Sequence, residues 1–266
     1  LARGIIIDDP ADPRLDAYRQ IRERDLAARA HFIAEGEVVL RVLVASPLCA
    51  TLSVLITQRR VATVMPWLER LPDEVPVYLA AQEILDAIVG FPIHRGVLAL
   101  GRRREVPEAA SLLAATAPEA LVVVLSGIAN HDNIGGIFRN AAAFGAAAVL
   151  LDGACCDPLY RKAIRVSVGG TLAVPFARIP QGVDPLALLK AHGFQVAALS
   201  PAGAVPLSRL VRVPRMAILF GAEGSGLAPA LLDRCRTVAI PMAAGFDSLN
   251  VATTSGIVMH HLTQGI

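Results

Sequence analysis

Two hydrophobic rhythms divide the chain. In its second half the runs LVVVLS, AAAVLLD, TLAVPF, FQVAALS, MAILFG and TVAIPM are short, uninterrupted and rich in β-branched residues. They do not alternate apolar with polar positions and are too short for core helices. Such runs suit strands of a parallel sheet covered on both faces. Helical stretches follow most of them, so the pattern predicts an α/β domain built on a parallel sheet. The first half instead mixes short apolar runs (HFIAEG, TLSVLIT, VPVYLA, GVLALG) with helical stretches such as EVVLRVLVAS and AAQEILDAIVG. That alternation predicts a smaller α/β sandwich. Ahead of it, DPRLDAYRQIRERDLAARA reads as a polar, charged helix with Asp12 as N-cap before Pro13. After Arg102, Arg103 and Arg104 the composition turns rich in Ala, Pro and Glu. The boundary is expected there, giving domains 1–106 and 107–266, the second with a complete core of its own.

Composition narrows the class. With 266 residues, 54% of them hydrophobic and 18% charged, the chain is long and apolar enough for one large or two smaller folded domains. The longest apolar stretch, Ala141 to Leu151, falls well short of the roughly 20 residues that cross a bilayer. No charged segment leads into an apolar one at the start of the chain. A cytoplasmic protein with no membrane partner is expected. The net charge of +2 arises entirely in the second domain and does not by itself mark a nucleic-acid-binding protein. Cys49, Cys155, Cys156 and Cys235 form no CxxC pair, which argues against zinc or thioredoxin-type chemistry. His260 and His261 are adjacent without a third ligand, so no metal is expected; a solvent or dimer contact suits them better.

Parallel α/β sheets bind ligands beyond the carboxyl ends of their strands, so the segments after each strand carry the functional reading. The first is SGIANHDNIGGIFRNAAAFG. As a helix from about Ile134, it sets Ile134, Ile137, Phe138 and Ala141 on a core-facing stripe and leaves Arg139 off it. Gly135 and Gly136 are costly inside a helix, which points to close backbone approach or a shifted start. The second segment, GAEGSGL from Gly221 to Leu227, exposes backbone N–H groups but lacks both P-loop and dinucleotide fingerprints. It also places Glu223 near the strand ends. The third is IPMAAGFDSLNVATTSGIVMHHL, where Ser248 suits an N-cap of the last helix and Asn250 is left without a structural reason.

Taken together, these segments resemble the SpoU (TrmH-type) methyltransferases of the knotted SPOUT superfamily. Asn133-Ile-Gly-Gly-Ile-Phe-Arg139 with Phe144-Gly145 matches the first family motif. Arg165-Val-Ser167-Val-Gly169-Gly170 with Pro175 resembles the R-x-S-x-G stretch. Leu219-Phe220-Gly221-Ala-Glu223-Gly224-Ser-Gly226-Leu227 matches the second motif, and Ile240-Pro241-Met242 with Ser248-Leu249-Asn250-Val251 the third. Gly170 and Ala252 stand where many relatives carry Ala and Ser. More weakly, Phe32 to Gly36 and His94-Arg-Gly96-Val-Leu-Ala-Leu are similar to a ribosomal-protein-like RNA-binding domain often fused to these enzymes.

The resemblance implies a trefoil knot and S-adenosylmethionine as cofactor, held by Leu219, Phe220, Gly221, Gly224, Gly226, Ile240, Met242 and Leu249. It implies methylation of a ribose 2′-hydroxyl in structured rRNA or tRNA, and a homodimer with the active site at its interface. Arg139 would orient the acceptor phosphate first and act as base second, with Asn133 and Glu223 orienting it. Ser248 and Asn250 would shape the acceptor site. A non-catalytic RNA-binding protein of the same fold is the alternative. Arg59 and Arg60, with Arg102 to Arg104, are either RNA phosphate contacts or solvated charge.

Overall fold

The computed structural model describes residues 4–19, 26, 29–89, 96–244, 246 and 248–264. By contacts the chain separates into one compact unit of residues 1–105 with 159–173, and a second of residues 106–158 with 174–266.

The first unit is a five-stranded sheet in the order β1-β4-β3-β5-β2. Its strands are β1 (Gly4–Ile7), β2 (His31–Glu35), β3 (Cys49–Thr57), β4 (Val77–Ala80) and β5 (Val97–Arg103). β1, β4 and β3 run parallel, while β5 is antiparallel to both β3 and β2. Because successive residues of a strand face opposite ways, the buried strands feed two cores. Phe32, Ala34, Val54, Ile56, Val97 and Ala99 pack under α1 (Glu37–Ala45) and α2 (Val61–Leu68). Ile33, Leu55, Leu98 and Leu100 face the other way, onto Leu15, Tyr18 and Leu85 of α3 (Gln82–Val89). Tyr18 is wholly buried; its hydroxyl meets Ser53 Oγ at 2.7 Å and accepts from the Leu100 N–H at 3.2 Å. Of the helix expected over 12–30, Pro13–Tyr18 forms a short 3-10 turn capped by Asp12. Most of the rest, with His94 and Arg95 of the closing stretch, lies outside the described residues.

Segment 159–173 also belongs to the first unit. It holds α6 (Arg161–Val166) and α7 (Gly170–Ala173). Ile164 and Leu172 are fully buried in the core around Phe32 and Leu43, and Ser46 Oγ donates to the Leu172 carbonyl at 2.5 Å. Ser167 accepts from the Thr171 N–H at 3.3 Å, locking the turn between the two helices. The run TLAVPF is therefore not one strand. Its start is helical, and the strand β8 is confined to Phe176–Arg178.

The second unit is a seven-stranded, wholly parallel sheet in the order β10-β12-β9-β11-β6-β7-β8. Its further strands are β6 (Ala120–Leu125), β7 (Ala148–Leu151), β9 (Gln195–Leu199), β10 (Val205–Pro206), β11 (Arg215–Phe220) and β12 (Arg236–Ala239). The chain steps outward from β6 through β7 to β8, then crosses to the other side. There β11 slots between β6 and β9, so the order reverses beside β6. Its helices include α4 (Ala109–Ala114), α5 (His131–Ala143), α8 (Pro185–Ala191), α9 (Pro229–Leu232) and α10 (Val251–Thr263). Among the described residues no helix is long and apolar enough to cross a membrane.

Ile164 and Leu172 lose their burial partners if the second half is expressed alone, and each such side chain is worth about 1.5–3 kcal/mol. In a fragment of residues 107–266, backbone amides 161–172 should exchange with deuterium far faster than in the full chain. Equal protection in both would show that the segment is held without the first unit.

Candidate active site

The first helix of the site, α5, begins at His131, three residues earlier than its apolar stripe suggests. Asn130 caps it, accepting from the Asp132 N–H at 2.8 Å. Ile134, Ile137, Phe138 and Ala141 face the core as expected. Asn133, Gly136 and Asn140 lie on another face, turned toward α10. A Cβ on Gly136 would stand 2.6 Å from that of Ala252, so only glycine lets the two helices approach this closely. Asn140 fastens the contact by donating to the Ala252 carbonyl at 2.7 Å and to Ser255 Oγ at 2.9 Å.

Asn250, not Ser248, caps α10. Its Oδ1 accepts from the N–H groups of Ala252 and Thr253 at 2.9 and 3.1 Å. Those backbone donors fix the amide's orientation, so Nδ2 must point the other way. It donates to Asn133 Oδ1 at 2.8 Å and to Glu223 Oε1 at 3.0 Å. One side chain thus joins all three segments singled out in the sequence. Asn133 is buried, whereas Glu223 and Asn250 reach the surface.

The glycine loop after β11 folds back on itself. A Cβ on Gly221 would fall 2.3 Å from the carbonyl carbon of Gly226. The Gly226 N–H bonds the Ala222 carbonyl at 2.9 Å, and Gly224 and Gly226 take φ of +84° and +65°. This tight loop forms one wall of a cavity of about 710 Å³ beyond the ends of β9, β11 and β12. Phe220, Gly221, Gly224, Gly226, Ile240, Met242 and Leu249 line it, as do Glu223, Ser248 and Asn250. Leu219 does not: it is buried within the sheet core, because alternate residues of β11 face opposite layers. Ala222 and Val251 complete those loops, whereas Leu199 at the end of β9, Ser200 and Pro201 after it, and Thr254 on α10 were not expected from the sequence. The run FQVAALS was visible, and its carboxyl end, Leu199-Ser200 with Pro201, was the available signal.

Arg139 stands apart. It is exposed, and among the described residues it bonds neither Asn133 nor Glu223, nor does it line the cavity. Six residues along a helix rotate a side chain by about 240° from Asn133, which accounts for the separation. The orienting contacts expected for it are instead made by Asn250.

A second cluster braces the start of α5. The Asp152 carboxylate, at the end of β7, accepts from Ser126 Oγ at 2.7 Å and the Gly127 N–H at 2.9 Å. The N–H groups of Ala154 and Cys155 add bonds at 3.0 Å each. Burial would raise its pKa, but these donors outweigh it and hold the carboxyl below its usual range. Burial pushes the neighbouring thiols the other way, Cys155 up to about 12 and Cys156 up to about 11. Neither is a thiolate near neutrality. Among the described residues no group of three or more His, Cys, Asp or Glu could hold a metal.

Known proteins are similar to this chain in sequence and in fold. Residues 120–260 match the model of the SpoU rRNA Methylase family, and the chain belongs to that family. It is 40% identical to an uncharacterized tRNA/rRNA methyltransferase of Mycobacterium bovis, over 96% of this chain and 90% of the relative. It is 32% identical to the 23S rRNA (guanosine-2′-O-)-methyltransferase RlmB of Acinetobacter baylyi, over 71% of this chain and 78% of that one. An AdoMet-bound rRNA methyltransferase from Sinorhizobium meliloti shares the fold, with a TM-score of 0.79 at 24% identity over 97% of each chain.

The double role of Asn250 yields a separable outcome. Asn250→Ala removes cap and bridge together and should lower stability by about 1 kcal/mol. Asn250→Asp retains a capping oxygen but loses both Nδ2 donors and sets a carboxylate beside Glu223. Thermal unfolding should show the smaller loss for Asp, while both variants lose activity. Equal destabilisation by both would make the bridge, not the cap, the whole contribution of this residue to stability.

Proposed function

We propose that this protein transfers a methyl group from S-adenosylmethionine to a ribose 2′-hydroxyl of structured RNA, either rRNA or tRNA. The observation that carries the reading is the cavity at the ends of β9, β11 and β12, edged by the Asn133–Asn250–Glu223 network. Its volume lies within the roughly 300–1,000 Å³ range of small-molecule sites. The wall also fits the cofactor. Leu199, Phe220, Ile240 and Leu249 offer apolar faces for an adenine, and the self-folded glycine loop offers backbone groups to a ribose. When bound, the cofactor supplies an already electrophilic sulfonium methyl.

The protein's own residues then have two tasks, aligning the acceptor oxygen and dealing with its proton. Alignment can supply roughly 7–11 kcal/mol of a barrier. Arg139, permanently charged and planar, suits a bidentate grip on the acceptor's phosphate, with proton removal as its second role. Asn133, Ser248 and Asn250 shape the place where the ribose lies, and Glu223 holds the Asn250 amide. That Arg139 is exposed and does not line its own chain's cavity supports a homodimer in which it serves the partner's cofactor. The same reading carries the family's knot and a cytoplasmic setting, where the RNA is. Residues 1–106 would capture RNA and residues 107–266 perform the transfer. The intact Asn133, Arg139, Glu223, Ser248 and Asn250 favour this over a non-catalytic RNA-binding protein.

Incubated with radiolabelled S-adenosylmethionine and unmodified rRNA or tRNA, the protein should leave a methyl group that blocks alkaline cleavage at the adjacent 3′ phosphate. Label found only on a base would overturn the ribose assignment. Arg139→Ala should cut turnover by about 10²-fold or more, on the scale of a positioned acid–base group. Cofactor affinity by calorimetry should stay nearly unchanged, and a parallel loss of both would make Arg139 structural.

A further inference from the structure

The fold separates two arginine groups that the sequence left together. Arg59 and Arg60 follow the end of β3, where Arg59 is already engaged with Gln82 Oε1 at 2.5 Å. Arg102 to Arg104 lie at the other end of the sheet, because Arg103 pairs with Cys49 at the start of the same strand. The nine residues of β3 put the groups about 26 Å apart, at roughly 3.3 Å per residue.

At the Arg102 end the charges converge on one face. In the antiparallel β2–β5 ladder His31 is directly opposite Arg102, so both side chains leave the same face of the sheet. Arg104, two residues on, shares that parity, while Arg103 turns to the opposite face. Arg29 lies outside β2, beyond an Ala30 of positive φ, and its charge reaches His31. Arg29, Arg102 and Arg104 are exposed. Among the described residues neither Arg29 nor Arg102 is engaged in an ion pair or side-chain hydrogen bond; Arg104 Nε donates only to the Cys49 carbonyl, at 3.2 Å. The backbone beneath them is hydrogen-bonded on both sides. The Arg103 N–H bonds the Ala30 carbonyl at 3.1 Å and the Arg104 N–H the Leu48 carbonyl at 3.0 Å, so flanking chains on both sides pin the strand end. His31 feels the local field: burial lowers its pKa first, and Arg102 and Arg29 push it further down.

We propose that this sheet end, with Arg29, His31, Arg102 and Arg104, is where the first unit docks RNA, by gripping consecutive phosphates of the backbone. Cations gathered on one face repel one another unless an anion lies between them. Exposed arginine forks on a fixed backbone fit phosphate oxygens in particular. Contacts of this kind position an RNA without reading its sequence. The proposal rests on the reading of the first unit as an RNA-capture domain and specifies its face; it excludes the Arg59–Arg60 end.

The test measures binding of the full-length protein to a dye-labelled, unmodified rRNA transcript by fluorescence anisotropy, across a series of salt concentrations. Removing one arginine–phosphate interaction should flatten the slope of log K against log salt by about 1. Arg29→Ala with Arg102→Ala should therefore flatten it by about 2 and weaken binding by about 10-fold or more at low salt. Arg102→Lys, which keeps a point charge, should retain most of the slope, and its unfolding midpoint guards against a folding artefact. Arg59→Ala with Arg60→Ala should leave slope and affinity unchanged. If that pair flattens the slope and Arg29/Arg102 does not, the docking face is wrong while RNA capture stands. If neither pair changes binding, the capture role of the first unit itself fails.

Discussion

The candidate site depends on a geometric demand placed on one amide. Asn250 must turn its oxygen toward the two N–H groups that open α10, because those donors have no partner within the helix. Once the oxygen is committed, the nitrogen has one direction left, and there it meets Asn133 and Glu223. Capping and site assembly are thus the same event. A serine cap at Ser248 would have satisfied the helix, but a hydroxyl cannot accept from the helix while donating to two separate acceptors.

That demand can be met only because α5 and α10 pack unusually close. Gly136 against Ala252 removes the side-chain bulk that would part them, and Asn140 holds the contact with bonds to Ala252 and Ser255. A pair of glycines that weakens an isolated helix therefore has a tertiary reason at Gly136: without it, Asn133 would stand too far from Asn250 to bond. Ala252 is the matching partner, its methyl lying 2.6 Å from where a Cβ on Gly136 would fall. Asp152 does comparable work one strand away, binding the turn before α5 to the end of β7.

The parallel sheet, its strands and the placing of functional segments at strand ends were legible in the chain because each is written locally, as apolar run length and glycine spacing. What was not legible is set by approach between distant segments. The sequence suggested Ser248 as a cap, since nothing local shows which polar residue sits at the helix start. Leu219 looked like cavity wall beside Phe220, but the alternation of β11 sends one into the core and the other to the cavity. Leu199 to Pro201 join the wall only through the strand order, which brings β9 beside β11 and β12 although β10 and β11 intervene in sequence.

Residues 159–173 show the same limit at the scale of a domain. Their place in the chain, between β7 and β8, suggests membership of the second unit, yet Ile164 and Leu172 are core residues of the first. Burial follows contact, and a segment between two paired strands is free to fill another core if its apolar side matches. Charge obeys a parallel rule. Residues 1–106 carry equal numbers of acidic and basic groups, so net charge predicts no attraction for polyanions. The field an RNA meets is local, screened within about 8–10 Å in physiological salt. At that range the gathering of Arg29, Arg102 and Arg104 at one sheet end weighs more than the balance of the whole domain. Strand register, invisible to a charge count, decides which arginines act together.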